Sequence, residues 1–213
     1  MKNIAKFQSL PLPQEAPLMV LPGTTLFPKT LLPLRIFEPR YRKMLEFCLE
    51  HQRMFCIALM KPGIQEAGST DDFYHVVGLG LVRACVGRPD GTSNLVLLGL
   101  SRVQLTRFTQ EQPFRIAQYL ELKSDSSDIL DAEMLTNEVL QLCTELREDG
   151  LNVPAAIDEQ LAKVSDPEMI ADIVSHTFVR DAQRRQELLS QLRTTDRLRL
   201  LLRHLREERE MPD

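Results

Sequence analysis

Residues 26–44 read LFPKTLLPLRIFEPRYRKM, and they change character halfway. The first half is apolar and carries Pro28 and Pro33. The second half sets Arg35, Arg40, Arg42 and Lys43 around Phe37 and Tyr41. Up to Leu34 the pattern is that of a strand. Pro33 places it at an edge or a bulge, because proline has no N–H to give a ladder. From Pro39 the apolar residues Tyr41, Met44, Leu45, Cys48 and Leu49 recur at helical spacing. Proline suits the first helical turn, where its missing N–H has no partner to lose. The stretch is therefore a strand running into a helix, with a basic and aromatic junction.

Upstream, residues 1–17 read as a loose lead-in with Pro11, Pro13 and Pro17, and LMVLPG (18–23) as a short strand ended by Pro22 and Gly23. Downstream, the helix is expected to end near His51. MFCIALM (54–60) is a buried strand and GIQEAGSTDD (63–72) a polar loop. Residues 74–108 form a long hairpin turning at Arg88-Pro89-Asp90-Gly91. Gly78 and Gly80 in its first arm imply a bulge or sharp bend. FRIAQYLEL (114–122) alternates as a last strand.

Beyond Ser124 the period is helical. Residues 125–148 form a long amphipathic helix with capping residues in front, punctuated by Gly150 and Pro154. DPEMIADIVSHTF (166–178) starts with an Asp cap and a proline. Two further helices follow, divided near residues 194–196. Strands first and helices later make an α+β chain. Residues 1–123 are expected to form a strongly bent antiparallel sheet or small barrel with one helix, and residues 124–213 a helical bundle.

The 213 residues are 43% hydrophobic and 26% charged, an ordinary soluble composition with ample core. The net charge of −4 exerts no global pull on nucleic acid. Charge is uneven: residues 1–120 hold 14 basic and 9 acidic groups, while 121–172 hold 3 and 14. No run approaches the roughly 20 apolar residues of a membrane helix, and no signal peptide is evident. Cys48, Cys56, Cys85 and Cys143 match no zinc spacing and read as buried thiols in a reducing compartment. A cytoplasmic location follows as an expectation.

Enzyme motifs fail at decisive positions. The loop at Gly63 and Gly68 has Ser69 where a phosphate-binding loop needs Lys. Gly78-Leu79-Gly80 is followed by Arg83 in place of a third glycine. Ser101 is followed by Val103, where a nucleophile elbow needs Gly. His51, His75, His176 and His204 are scattered and suit surface or helix-end positions. No cofactor, metal site or catalytic residue is expected, and the chain reads as a non-enzyme.

The opening stretch, extended to residue 45, resembles the start of the N-terminal substrate-binding domain of Lon proteases. The hairpin at 76–108 resembles that family's hairpin. Residues 165–178 and 184–208 are similar to its helical patterns, and a further relation is the Lon-like domain of cereblon. The resemblance runs from about residue 18 to residue 210. It implies a PUA-like bent antiparallel pseudo-barrel followed by a helical bundle. A full Lon protease continues into ATPase and Ser–Lys protease modules. This sequence stops at Asp213 without the P-loop Lys, so the resemblance implies a stand-alone recognition domain without proteolysis. Cereblon's ligand pocket lies in a zinc-bearing domain, and no CxxC pair is present here to carry it over.

Expected partners are unfolded or extended polypeptide, with a protease or chaperone as associate. An RNA-associated PUA-like protein is the alternative, disfavoured by the 6% aromatic content. Arg35, Phe37, Arg40, Tyr41 and Arg42 are the candidate binding residues, with Arg35, Arg40 and Arg42 rimming a groove for extended chain. The same residues also have a purely structural reading. In it, Phe37 staples the helix start and Glu38 pairs with Arg42 one turn on. Leu188, Leu192, Leu198, Leu201, Leu202 and Leu205 are expected to pack within the bundle, with arginines solvated around them, giving a monomer or weak dimer.

Overall fold

The structure is a computed structural model, and it describes residues 11–210. Six strands and six α-helices follow in order. They are β1 (Glu15–Leu21), β2 (Leu31–Ile36), α1 (Pro39–Glu50), β3 (Met54–Leu59), β4 (Val76–Gly87), β5 (Ser93–Gln110), β6 (Arg115–Leu122), α2 (Ile129–Glu148), α3 (Ala156–Leu161), α4 (Pro167–Phe178), α5 (Ala182–Ser190) and α6 (Thr194–Glu210). The lead-in expected over residues 1–17 lies partly outside the described residues, and its end is ordered: Glu15 to Pro17 already belong to β1. Pro17 fits there because the β1–β3 ladder begins only at Leu18, opposite Cys56.

The strand order is β2-β5-β4-β3-β1-β6, and β6 pairs back onto β5. Five strands thus close a ring, with β2 appended outside it. The 18-residue β5 makes this possible by changing neighbours. Its residues 93–98 lie between β4 and β2, and from Arg102 onward it takes β6 instead of β2. One expectation is corrected. The sheet is not wholly antiparallel, because β1 and β3 run parallel. A parallel pair needs a long crossover, and the chain supplies one through β2 and α1.

Gly99 marks the handover on β5. There Lys29 N–H donates to the Gly99 carbonyl and Gly99 N–H to the Thr30 carbonyl, both at 2.9 Å. The strap at residues 24–30 presses so close that a Cβ on Gly99 would stand 1.9 Å from the Phe27 carbonyl oxygen, and one on Gly78 2.0 Å from that of Leu26. The expected bulge is also present, as a register shift between Leu79 and Gly80. These glycines therefore serve close approach as well as bending.

Three apolar clusters result. Leu18, Val20, Cys56, Val77, Leu79 and Val103 fill one face of the ring, covered by Phe73 and Ala67 from the 61–75 loop. Met19, Phe55, Ile57, Leu95 and Leu97 fill the other, covered by Tyr41, Met44, Leu45 and Cys48 of α1. The third joins α2, α4, α5 and α6, and the strap drives Phe27 into it. Leu188, Leu198, Leu201, Leu202 and Leu205 are buried there, as their spacing implied.

Helix boundaries follow local chemistry. Asp166 caps α4 by accepting from Glu168 N–H at 3.1 Å, with Pro167 next. Ahead of α2 the expected capping fails, since Asp128 makes no side-chain cap bond. Residues 125–127 are engaged elsewhere: Asp125 bridges to Arg193, and its carboxylate accepts from Ser127 N–H. No described helix is long and apolar enough to cross a membrane.

Candidate functional site

The five candidate residues do not form one site. Tyr41 is buried, and its hydroxyl donates to the Val20 carbonyl (3.0 Å) while accepting from Val20 N–H (3.2 Å). Burial, above all, raises its pKa. Its hydroxyl is thus committed to joining α1 to β1. Arg40 stacks beside the Tyr41 ring at 4.8 Å and pairs with Glu38 (2.8 Å) and Glu66 (3.2 Å). Both the staple and the Glu38–Arg42 pair are therefore corrected. Phe37 is 61% exposed and lies under nothing, while Glu38 turns to Arg40. The fixed geometry of the β2–α1 junction accounts for this: Glu38 is extended, and the chain turns directly from strand to helix.

Arg40 and Tyr41 line a groove of about 440 Å³ between the 66–68 loop and the 111–115 turn, over Leu18 and Phe114. Arg115 closes one side by donating to the carbonyls of Ala67 (2.8 Å) and Gly68 (3.2 Å). Glu66 and Glu111 line the groove together with the two arginines. Positive and negative groups balance there, and the guanidiniums already hold protein partners. A second cleft, between α2 and α6, is bridged across by Arg206–Glu138, Arg209–Glu145 and Arg209–Asp149 pairs.

Arg35 and Arg42 lie elsewhere, toward the β4–β5 turn. Arg35 is exposed opposite Asn94, and the Arg42 guanidinium rests on Gly91. Asp90 in that turn is held below the usual carboxylate range, first by its Thr92 hydrogen bonds and then by Arg35 and Arg88. Cross-strand partners here share one uncovered face. It carries Leu31 beside Leu98, then Pro33, Val96 and Ala84, then Arg35, Asn94 and Val86. Leu31 is 57% and Val86 66% exposed.

Sequence reading missed the buried charge cluster joining ring and bundle. Arg102 of β5 donates to Asp172 of α4 through both terminal nitrogens, one bond measuring 2.9 Å, and through Nε to the Leu189 carbonyl (3.0 Å). Arg197 of α6 donates to the same carboxylate (3.0 Å), to Ser124 Oγ (2.8 Å) and to the Gln191 carbonyl (2.8 Å). Arg197, one of the helix arginines expected to be solvated around the leucine face, is fully buried. Burial pushes the Asp172 carboxyl up, against the pull of Arg102 and Arg197. A signal was available: Asp172 lies inside the apolar run Ile170, Ala171, Ile173, Val174, where an unpaired charge would be costly.

The four cysteines are unpaired, and burial pushes the thiols of Cys48 and Cys143 up to about 12, which leaves them poor nucleophiles. His204, expected at a surface or helix end, is buried in mid-α6 near Glu187 (3.2 Å) and Glu207 (3.5 Å). Among the described residues no cluster of three or more His, Cys, Asp or Glu is placed to hold a metal.

Comparison with known proteins places this architecture. The chain is 22% identical over 201 residues to a Lon protease of Desulfosudis oleivorans, spanning 94% of this chain and 25% of that protein. It is 26% identical over 188 residues to Lon protease 2 of Herpetosiphon aurantiacus, spanning 88% and 23%. It thus spans about a quarter of the length of these relatives. In fold it resembles the N-terminal domain of the Mycobacterium avium complex Lon protease, with TM-score 0.69, 18% identity, and 91% and 98% of the two chains covered. A Lon N-terminal domain protein from Xanthomonas campestris is similar at TM-score 0.65 and 18% identity, with 89% and 97% covered. The model of the ATP-dependent protease La (LON) substrate-binding domain matches residues 15–207, from the first strand into the last helix, and the chain belongs to that family.

Proposed function

We propose that this chain is a non-catalytic recognition module for polypeptide, taking unfolded or extended segments in the manner of an adaptor or chaperone-like factor. The observation that carries this reading is the match to a substrate-binding domain over residues 15–207. The chemistry agrees with it. The buried thiols are poor nucleophiles, the groove arginines are paired, and the exposed features are apolar and main-chain surfaces suited to a peptide. The module works as a monomer or at most a weak dimer, because the leucines of α5 and α6 are spent on its own bundle, and light scattering is expected to give a mass near 24.4 kDa. The test of recognition is fluorescence anisotropy with a reduced, alkylated and permanently unfolded protein. Saturable binding with a dissociation constant on the order of tens of micromolar is expected, a weak but specific affinity. No binding at that concentration, with the chain folded by circular dichroism, would overturn the reading.

A further inference from the structure

Among the described residues β2 pairs with β5 alone, which leaves its outer edge open. Gly99 donates to the Thr30 carbonyl, and the alternation of an antiparallel ladder then turns the main-chain groups of residues 31, 33 and 35 outward. His176 of α4 engages the main chain of Leu31, and Pro33 has no N–H. Among the described residues, the Pro33 carbonyl and both main-chain groups of Arg35 remain for a partner. Their spacing of two residues is the repeat of an added strand.

The surroundings define that partner. The uncovered face beside the edge presents Leu31, Pro33 and Val86, and Phe37 stands exposed at the strand's end. Arg35, Arg42 and Arg88 gather around them, with Asp90 the acid in the adjoining turn. This is a basic, apolar patch on a chain of net charge −4. It calls for a ligand with carboxylates, a β-prone backbone and apolar side chains.

We propose that the β2 edge binds a short extended polypeptide rich in Asp and Glu. The peptide adds as a strand beyond β2, its apolar residues lying against Leu31 and Pro33 and its carboxylates against Arg35 and the Arg42–Arg88 end. This rests on the reading of the chain as a polypeptide binder, and names the kind of segment and the place it occupies. Single-stranded nucleic acid is the less suitable ligand. Phe37 is the one exposed aromatic at the patch, and a phosphate backbone makes no use of strand-edge carbonyls.

Anisotropy with two labelled peptides tests it. Both share one Val/Thr skeleton, alternating with Glu in the first and with Lys in the second. The Glu peptide is expected to bind about tenfold more tightly than the Lys peptide, and to weaken as salt rises. Arg35→Glu is expected to remove the preference, with Arg35→Gln intermediate and neither changing the melting temperature, since Arg35 is exposed. N-methylating alternate amides of the Glu peptide is expected to abolish binding. Equal binding of the two peptides, or a preference unchanged in Arg35→Glu, would overturn the site even while unfolded protein still binds. Loss of unfolded-protein binding by the unmutated chain overturns the broader reading instead. Displacement of the Glu peptide by a single-stranded oligouridine that binds more tightly would assign the patch to nucleic acid and overturn the proposal.

Discussion

At the residue scale, the ring depends on a few positions where nothing larger than hydrogen fits. A methyl at Gly78 or Gly99 would meet main-chain oxygen, which cannot rotate away as a side chain can. Gly78→Ala and Gly99→Ala are therefore expected to cost at least about 2 kcal/mol each in urea unfolding. Gly87→Ala, with nothing within 4 Å, should stay within about 0.5 kcal/mol of the parent protein. The sequence marks Gly78 as unusual, since glycine weakens a strand unless something requires it. It does not mark the strap as the cause, because the strap residues are distant in the chain. The candidate residues show the same limit. Arg35 and Arg40 lie close in sequence, yet strand and helix geometry send one to the sheet edge and the other to the groove.

At the element scale, like-looking sequence gives unlike ends. Asp166 and Asp128 both precede helices, but only Asp166 makes the cap bond. Asp166→Ala is expected to lower stability by about 1 kcal/mol, and Asp128→Ala by at most a few tenths, measured by thermal or urea unfolding. The last turn of α4 carries a titration. Burial first, then Arg185, draws the His176 imidazole down to about 4, although its bond to the Leu31 main chain pulls the other way. The unfolded imidazole titrates at about 6.5, so between these values the unfolded chain binds the proton and the folded chain does not. This contribution to stability is therefore intact above about pH 6.5 and is lost as pH falls toward 4. With the ring part-exposed, it amounts to about 1–3 kcal/mol. Urea titrations at pH 7 and 4.5 should show His176→Gln losing less stability on acidification than the parent; an equal loss would remove His176 as the cause. His176 is at a helix end in the sequence, where a charged form is usually favoured. Its contact with the Phe27 ring, 6.4 Å between centroids, is tertiary.

At the scale of the whole molecule, ring and bundle are joined by Phe27 and by the Arg102–Asp172–Arg197 cluster. Removing Asp172 leaves two buried guanidiniums with only the more distant Glu168 carboxylate, at 3.5 and 3.7 Å, to offset their charge. Asp172→Ala is expected to cost about 3–5 kcal/mol. Near-ultraviolet and far-ultraviolet circular dichroism of the parent protein should trace a single urea transition; in Asp172→Ala the strand and helix signals are expected to separate. A variant as stable as the parent would show that the cluster does not join the halves. Much of this architecture was legible beforehand, because element type follows from local period and turn chemistry. The strand before Pro39, the helix after it, the hairpin at Asp90-Gly91, the edge position of Pro33 and the leucine face of the bundle were all readable in that way. The sequence also carried the family resemblance, since its motifs occur in order along the chain. Only the tertiary structure decided the parallel β1–β3 pair, the closure of β6 onto β5, the burial of Arg197, and the division of five neighbouring residues between two surfaces. Each of these depends on which distant segments meet, and a local pattern of apolar and polar residues carries no record of its partner.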